Sequence, residues 1–154
     1  MSISIDDRLG GPESGHRNPY TLAGETALPF EDAVERIRQE LAREGFGVLA
    51  EIDVQATLRA KLGVEREPYL ILGACSAPDA HQALEIASEL GALLPCNVVV
   101  YTDHGRTRIV GVDPRAMLGL VGETQLDQIA ERVRERLLRA LRAVWSTSAD
   151  RPRR

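Results

Sequence analysis

Two cysteines are the residues in this chain best suited to chemistry, and the segments that carry them mirror each other. Cys75 closes the apolar run Pro68-Tyr69-Leu70-Ile71-Leu72-Gly73-Ala74-Cys75, and Cys96 opens the run Cys96-Asn97-Val98-Val99-Val100-Tyr101-Thr102. Between them, Ser76 and Asp79 stand at the spacing of a helix capping box, with Pro78 in the first turn, where its missing N–H is harmless. Cys75 thus directly precedes a predicted helix N-terminus. Unpaired backbone N–H groups and the helix dipole favour an anion there and lower a thiol pKa. The resulting expectation is a thiol-dependent redox enzyme or sensor, with Cys75 as the attacking thiolate and Cys96 as the resolving thiol, both catalytic. The competing reading makes both small core hydrophobes, because free cysteine is among the most buried residue types.

The neighbours of the cysteines suggest a second kind of function. Ser76 and Asn97 each follow a cysteine, and Tyr69 and Tyr101 sit on the same two runs, so these four are candidate ligand-binding residues. A helix N-terminus beside an apolar pocket suits an anionic group of a small molecule. Metal chemistry is not predicted: Cys75, Asp79, His81 and Cys96 are ligand types, but their spacing matches no zinc signature. Glu51 and Asp53, two apart on a strand, would share a face as a carboxylate pair, although Asp53 is better placed to cap a helix. The chain holds no Gly-rich phosphate loop, dinucleotide fingerprint or nucleophile elbow, so no cofactor can be named.

Composition narrows the partners. The chain has 154 residues, enough for one domain with a full core, and its 19 basic against 23 acidic residues give a net charge of −4. The basic residues form no stripe interleaved with aromatics, which argues against nucleic acid. No apolar run approaches the ~20 residues of a membrane span, so no membrane is expected. Charges at Asp6, Asp7 and Arg8 stand where a signal peptide needs an apolar core, and two cysteines are too few for a disulfide framework. These features predict a cytoplasmic protein with reduced thiols.

The elements that must position the cysteines follow from periodicity. Residues 1–18, with Gly10-Gly11-Pro12 and Gly15 among polar neighbours, read as a flexible arm, in which Met1-Ser2-Ile3-Ser4-Ile5 alternates as a short edge strand would. A strand over Tyr20 to Ala27 precedes a helix whose apolar face is Phe30, Ala33, Val34, Ile37 and Leu41, stopped at Gly45. Phe46 to Ile52 reads as a strand, and Asp53 to Gly63 as a short capped helix. The run to Cys75 is the next strand, the segment from Ser76 to Leu90 a helix, and Cys96 to Thr102 a strand turned by Asp103-His104-Gly105 into another over Arg106 to Val112. Asp113-Pro114 opens a short helix around Met117. The longest helix starts at Thr124 and buries Leu126, Ile129, Ala130, Val133, Leu137, Leu141 and Val144, with Arg132, Arg134, Glu135, Arg139 and Arg142 on its solvated side. The folded domain therefore spans 19–145, and 146–154 is a frayed basic tail.

The segments Gly45-Phe46-Gly47-Val48-Leu49, Glu51-Ile52-Asp53-Val54, Leu72-Gly73-Ala74-Cys75, Leu93-Leu94-Pro95-Cys96-Asn97-Val98-Val99-Val100 and Asp113-Pro114 together resemble the bacterial family called domain of unknown function 302. After Cys75 the chain has Ser76-Ala77-Pro78 where the family is associated with Asn-Pro. The resemblance implies an α+β fold of the TATA-binding-protein-like kind: two layers, with a mostly antiparallel sheet of about five strands ordered as strand, helix, four-strand meander and long helix, and short helices inserted. It also implies a homodimer, and it implies no settled activity. In a meander both cysteines lie at one sheet end, where opposed Cα atoms are ~4.5–5.5 Å apart, within disulfide range. In a parallel crossover they would lie ~17–20 Å apart. Three functions stay open: a small-molecule binding module with its site near Cys75 and Cys96, a thiol-dependent redox protein using the same pair, and a purely structural homodimer.

Overall fold

The computed structural model describes residues 18–147. The arm expected up to residue 18, its alternating segment and His16 lie outside the described residues, apart from Asn18, and so does the tail beyond Thr147. Within them the elements come as β1 (Thr21–Thr26), α1 (Phe30–Arg43), β2 (Gly47–Asp53), α2 (Val54–Leu62), β3 (Tyr69–Cys75), α3 (Ala77–Ile86), β4 (Cys96–Asp103), β5 (Arg106–Val112), α4 (Pro114–Gly119) and α5 (Asp127–Trp145). The five strands form one antiparallel sheet in the order β1-β5-β4-β3-β2. The fold is thus the α+β meander expected, with β1 closing onto β5.

Local chemistry accounts for most of the boundaries. Glu31 and Asp32 sit in the first turn of α1, where the helix dipole favours acids, and Gly45 at φ 82° ends its run. The Asp53 carboxylate accepts the Ala56 N–H at 2.9 Å and caps α2, whose far end turns out at Gly63 in the left-handed region. His104 and Gly105, both at positive φ, make the two-residue turn that a β-hairpin prefers. The helix after Ser76 is shorter than expected. It ends at Ile86, Ala87 is extended, and a 3₁₀ segment over Ser88–Leu93 follows, which swings Leu90 into the core at 2% exposure. The longest helix starts at Asp127, three residues later than expected, because Thr124 begins a 3₁₀ turn.

One face of the sheet carries the core. Leu22 from β1, Leu72 from β3, Val98 and Val100 from β4 and Ile109 from β5 are fully buried against Ala33, Ile37 and Leu41 of α1 and Leu137, Leu141 and Val144 of α5. Each such side chain contributes about 1.5–3 kcal/mol on burial. The end of α5 is pinned by Trp145, whose indole Nε1 donates to the Ile109 carbonyl at 3.0 Å. The ring lies where Gly24 has no side chain: a Cβ there would stand 2.5 Å from the Trp145 Cε2. Among the described residues no helix is long and apolar enough to cross a membrane.

Gly24→Ala is therefore expected to cost about 1–3 kcal/mol by overpacking. Denaturant unfolding checks this, and replacing Trp145 with Leu in the same chain should recover part of the loss; an unchanged midpoint in the single variant would contradict the packing.

Candidate functional site

The sheet end at Cys75 and Cys96 is built from the last residue of β3 and the first of β4. Both cysteines are free, and they lie at one end of adjacent antiparallel strands, as the meander requires. Their register is offset by one. Cys96 is opposite Ala74, while Cys75 is opposite Gly47 on the other side. Because successive strand side chains point to opposite faces, this single step separates the two thiols. Burial follows the same alternation: Leu70, Leu72, Ala74, Cys96, Val98 and Val100 are buried on the helix side, while Tyr69, Ile71, Cys75, Val99 and Tyr101 are half-buried on the other.

The six expected site residues are sorted by this alternation. Cys96 and Ser76 belong to the helix side. Cys75, Asn97, Tyr69 and Tyr101 belong to the open side, where Asn97 is exposed opposite Gly73. Tyr69 and Tyr101 are cross-strand partners with stacked rings, 5.3 Å between centroids, and the Arg66 guanidinium lies 4.7 Å over the Tyr69 ring. His81, on α3, is exposed.

On the helix side, Cys96 lines a small apolar cavity with Phe46, Ala83, Met117, Leu118 and Val133, and Ala74, Cys75 and Ser76 at the end of β3 also border it. Its free volume is about 30 Å³. That is room for a water or two, far below the ~300–1,000 Å³ of a small-molecule pocket. Burial, with a smaller contribution from the nearby Cys75, pushes the Cys96 thiol up to about 11. Cys96 is therefore a protonated, inert thiol near neutral pH.

Ser76 and Asp79 do not form the expected capping box. The Ser76 hydroxyl donates to Asp79 Oδ2 at 2.5 Å, and the buried Asp79 carboxylate is held by two arginines of α5. Arg132 donates to Oδ1 from Nε at 2.9 Å and from Nη2 at 2.7 Å, while Arg136 Nη2 reaches Oδ2 and, at 3.2 Å, the Ser76 hydroxyl. Arg136 also donates to the Glu44 carbonyl at 3.2 Å and lies 5.2 Å over the Phe46 ring. This cluster ties α3 and the loop before β2 to α5. Arg132, which the periodicity assigns to the solvated side, reaches α3 instead. It stands four before Arg136, so both reach the same spot one turn apart, opposite the lone acid in the first turn of α3.

The open side holds the most extended arrangement. Ile52, Ile71, Val99, Val110 and Ala23 are successive cross-strand partners, one from each of the five strands, and make an unbroken apolar row. A parallel row runs Tyr69, Tyr101, Arg108, Glu25, with Arg108 Nη1 donating to Glu25 at 3.2 Å. Neither long helix covers these rows.

Comparison with known proteins agrees with this architecture. The family model described as domain of unknown function DUF302 matches residues 22–144. The chain belongs to this family. A solved structure, titled as that of an uncharacterized conserved DUF302 protein from Bacillus stearothermophilus, is similar at 29% identity with a TM-score of 0.77, over 82% of this chain and 99% of that one. No curated protein matches the chain. The DUF302 match spans β1 to nearly the end of α5, so it takes in both cysteines, the Asp79 cluster and the open face.

Two outcomes test the placement. With iodoacetamide at pH 8, Cys75 is expected to be alkylated in the native protein while Cys96 stays unmodified until unfolding, its native rate climbing only as the pH nears 11. Peptide mass spectrometry that found both labelled equally would contradict this. Asp79→Ala leaves two guanidinium groups without their carboxylate and should destabilise by about 3 kcal/mol, at the lower end for a broken buried pair because Arg132 is half exposed; thermal and urea unfolding report it.

Proposed function

We propose that this DUF302 chain is a binding module that works as a homodimer through the open face of its sheet. The observation that carries the reading is the apolar row running in register across all five strands with no long helix over it. A sheet face of this kind is ordinarily one half of a packed layer. A second copy supplies the other half with the same row, as a two-fold interface requires.

A small-molecule role fits this reading better than it fits the cavity at Cys96. Tyr69 and Tyr101 lie at one end of the open face and Asn97 and Cys75 toward the other, with about 20 Å of β3 between Tyr69 and Cys75, so a small ligand held between two sheets would rest on the stacked aromatic rings or beside the thiol, not both. The thiol-redox reading is the less favoured one. The one-residue offset sends the two cysteines to opposite faces, and Cys96 resists ionisation.

Val99 lies at the centre of the row, and Val99→Asp should turn a dimer into a monomer, weakening association at least about tenfold by placing an unpaired charge in the contact. Sedimentation velocity across a concentration series measures this. A wild-type chain that stays monomeric at every concentration would defeat the proposal.

A further inference from the structure

We infer that the groove between α3 and the start of α5 binds a small zwitterion of the amino-acid kind, with its ammonium on Glu85, its carboxylate on Arg132 and an apolar side chain between them. The groove is on the helix side of the sheet, so the inference stands apart from the homodimer and from the open face. α3 lies there against both the 3₁₀ turn at Thr124–Leu126 and α5. The space between them is about 440 Å³, within the ~300–1,000 Å³ of small-molecule sites. On α3, His81 and Glu85 stand four apart, and on the other wall Gln125, Gln128 and Arg132 follow at steps of three and four. Buried Ile129 and half-buried Ile86 supply the apolar part of the lining.

Unspent polar groups set this groove apart. Most arginines of the helices are paired, as Arg38 is with Glu51, Arg115 with Glu131 and Arg139 with Glu44. Among the described residues His81, Glu85, Gln125 and Gln128 have no hydrogen-bond or ion-pair partner. A single exposed polar side chain of this kind is simply solvated, but here four line one concave space. With Gln82, three of the chain's five glutamines are gathered there. Arg132 spends Nε and Nη2 on Asp79 and Gln82, which leaves the two protons of Nη1 without a partner among the described residues.

Charge decides the ligand. Asp79 answers two guanidinium groups with one carboxylate, which leaves positive charge in excess at the Arg132 end. Glu85 stands one turn along α3 from Gln82, the residue that Arg132 touches, and places a negative charge about 5–6 Å further on, measured between Cβ atoms. A groove positive at one end and negative at the other complements a zwitterion. An anion alone would meet Glu85, and a cation alone would meet Arg132. The glutamine amides both donate and accept, so they satisfy the remaining protons and lone pairs of the ligand, while the two isoleucines take its apolar side chain.

The test titrates the full chain with L-leucine and with leucyl-leucine and follows the backbone amide shifts by NMR. Shifts centred on residues 81–86 and 125–132, saturating with a Kd of about 1 mM or tighter, are expected. N-acetyl-leucine, which lacks the ammonium, and leucinamide, which lacks the carboxylate, should each bind about fivefold more weakly, the scale of one exposed charge pair. Glu85→Gln, at an exposed position, should keep the wild-type spectrum and lose the same factor for leucine while leaving N-acetyl-leucine unchanged. That comparison separates a charge contact from a structural effect. Either blocked compound binding as well as leucine overturns the inference, and so does an unchanged leucine affinity in Glu85→Gln. Shifts centred on Tyr69 and Tyr101 instead, or no shifts at about 10 mM of either zwitterion, also overturn it.

Discussion

Strand alternation is the constraint on which the rest of this structure depends. Among the described residues the long helices cover one side of the sheet, and each residue's place in the register decides whether it meets them or the open face. Leu72 and Val98 join the core through it, and their sequence neighbours Ile71 and Val99 join the uncovered row. The same rule separates Cys75 from Cys96 although they occupy adjacent strands at one end of the sheet. A pairing one residue different would have opposed the two thiols and made a dithiol site at that end; the observed pairing buries one and leaves the other half-buried on the open side.

The layers were legible from the chain because they rest on local signals. The 3.6-residue apolar periods of α1 and α5, the Asp53 and Gly63 boundaries of α2 and the His104-Gly105 turn each mark their element without help from tertiary contacts. The break at Ala87 was not legible, since an unbroken helix and a helix followed by a 3₁₀ segment bury Leu90 from the same sequence pattern. The arrangement of the candidate site residues was not legible. Tyr69, Tyr101, Asn97 and Cys75 do share a face, but Cys96 and Ser76 do not share it with them. Register is a long-range property, and a shift of one residue leaves every local pattern intact.

Asp79 shows a different limit. Its spacing from Ser76 satisfies the capping pattern, and what overrides that pattern is a pair of guanidinium groups from a helix some fifty residues later. A buried carboxylate takes the strongest donors within reach, and charged donors outrank backbone N–H groups. The cap is therefore replaced by a three-way tie among α3, the loop before β2 and α5. It lies on the helix side of the sheet, so the fold can hold its helices together there while the opposite face is left free for contact.

The pinning of Trp145 over Gly24 bears on how the molecule comes into being. Among the described residues β1 is the first strand to be synthesised, yet its ladder partner is β5 and the ring that covers its glycine belongs to the last turn of α5. A growing chain must carry β1 unpaired through β2, β3, β4 and the long helix α1 until β5 is made, and uncovered until α5 follows. Contacts this distant close late and slowly, and an edge strand waiting for its partner is exposed to other chains in the meantime. The covering of β1 is thus coupled to completion of α5, and a chain cut short of residue 145 would leave Gly24 of that strand without the ring that covers it.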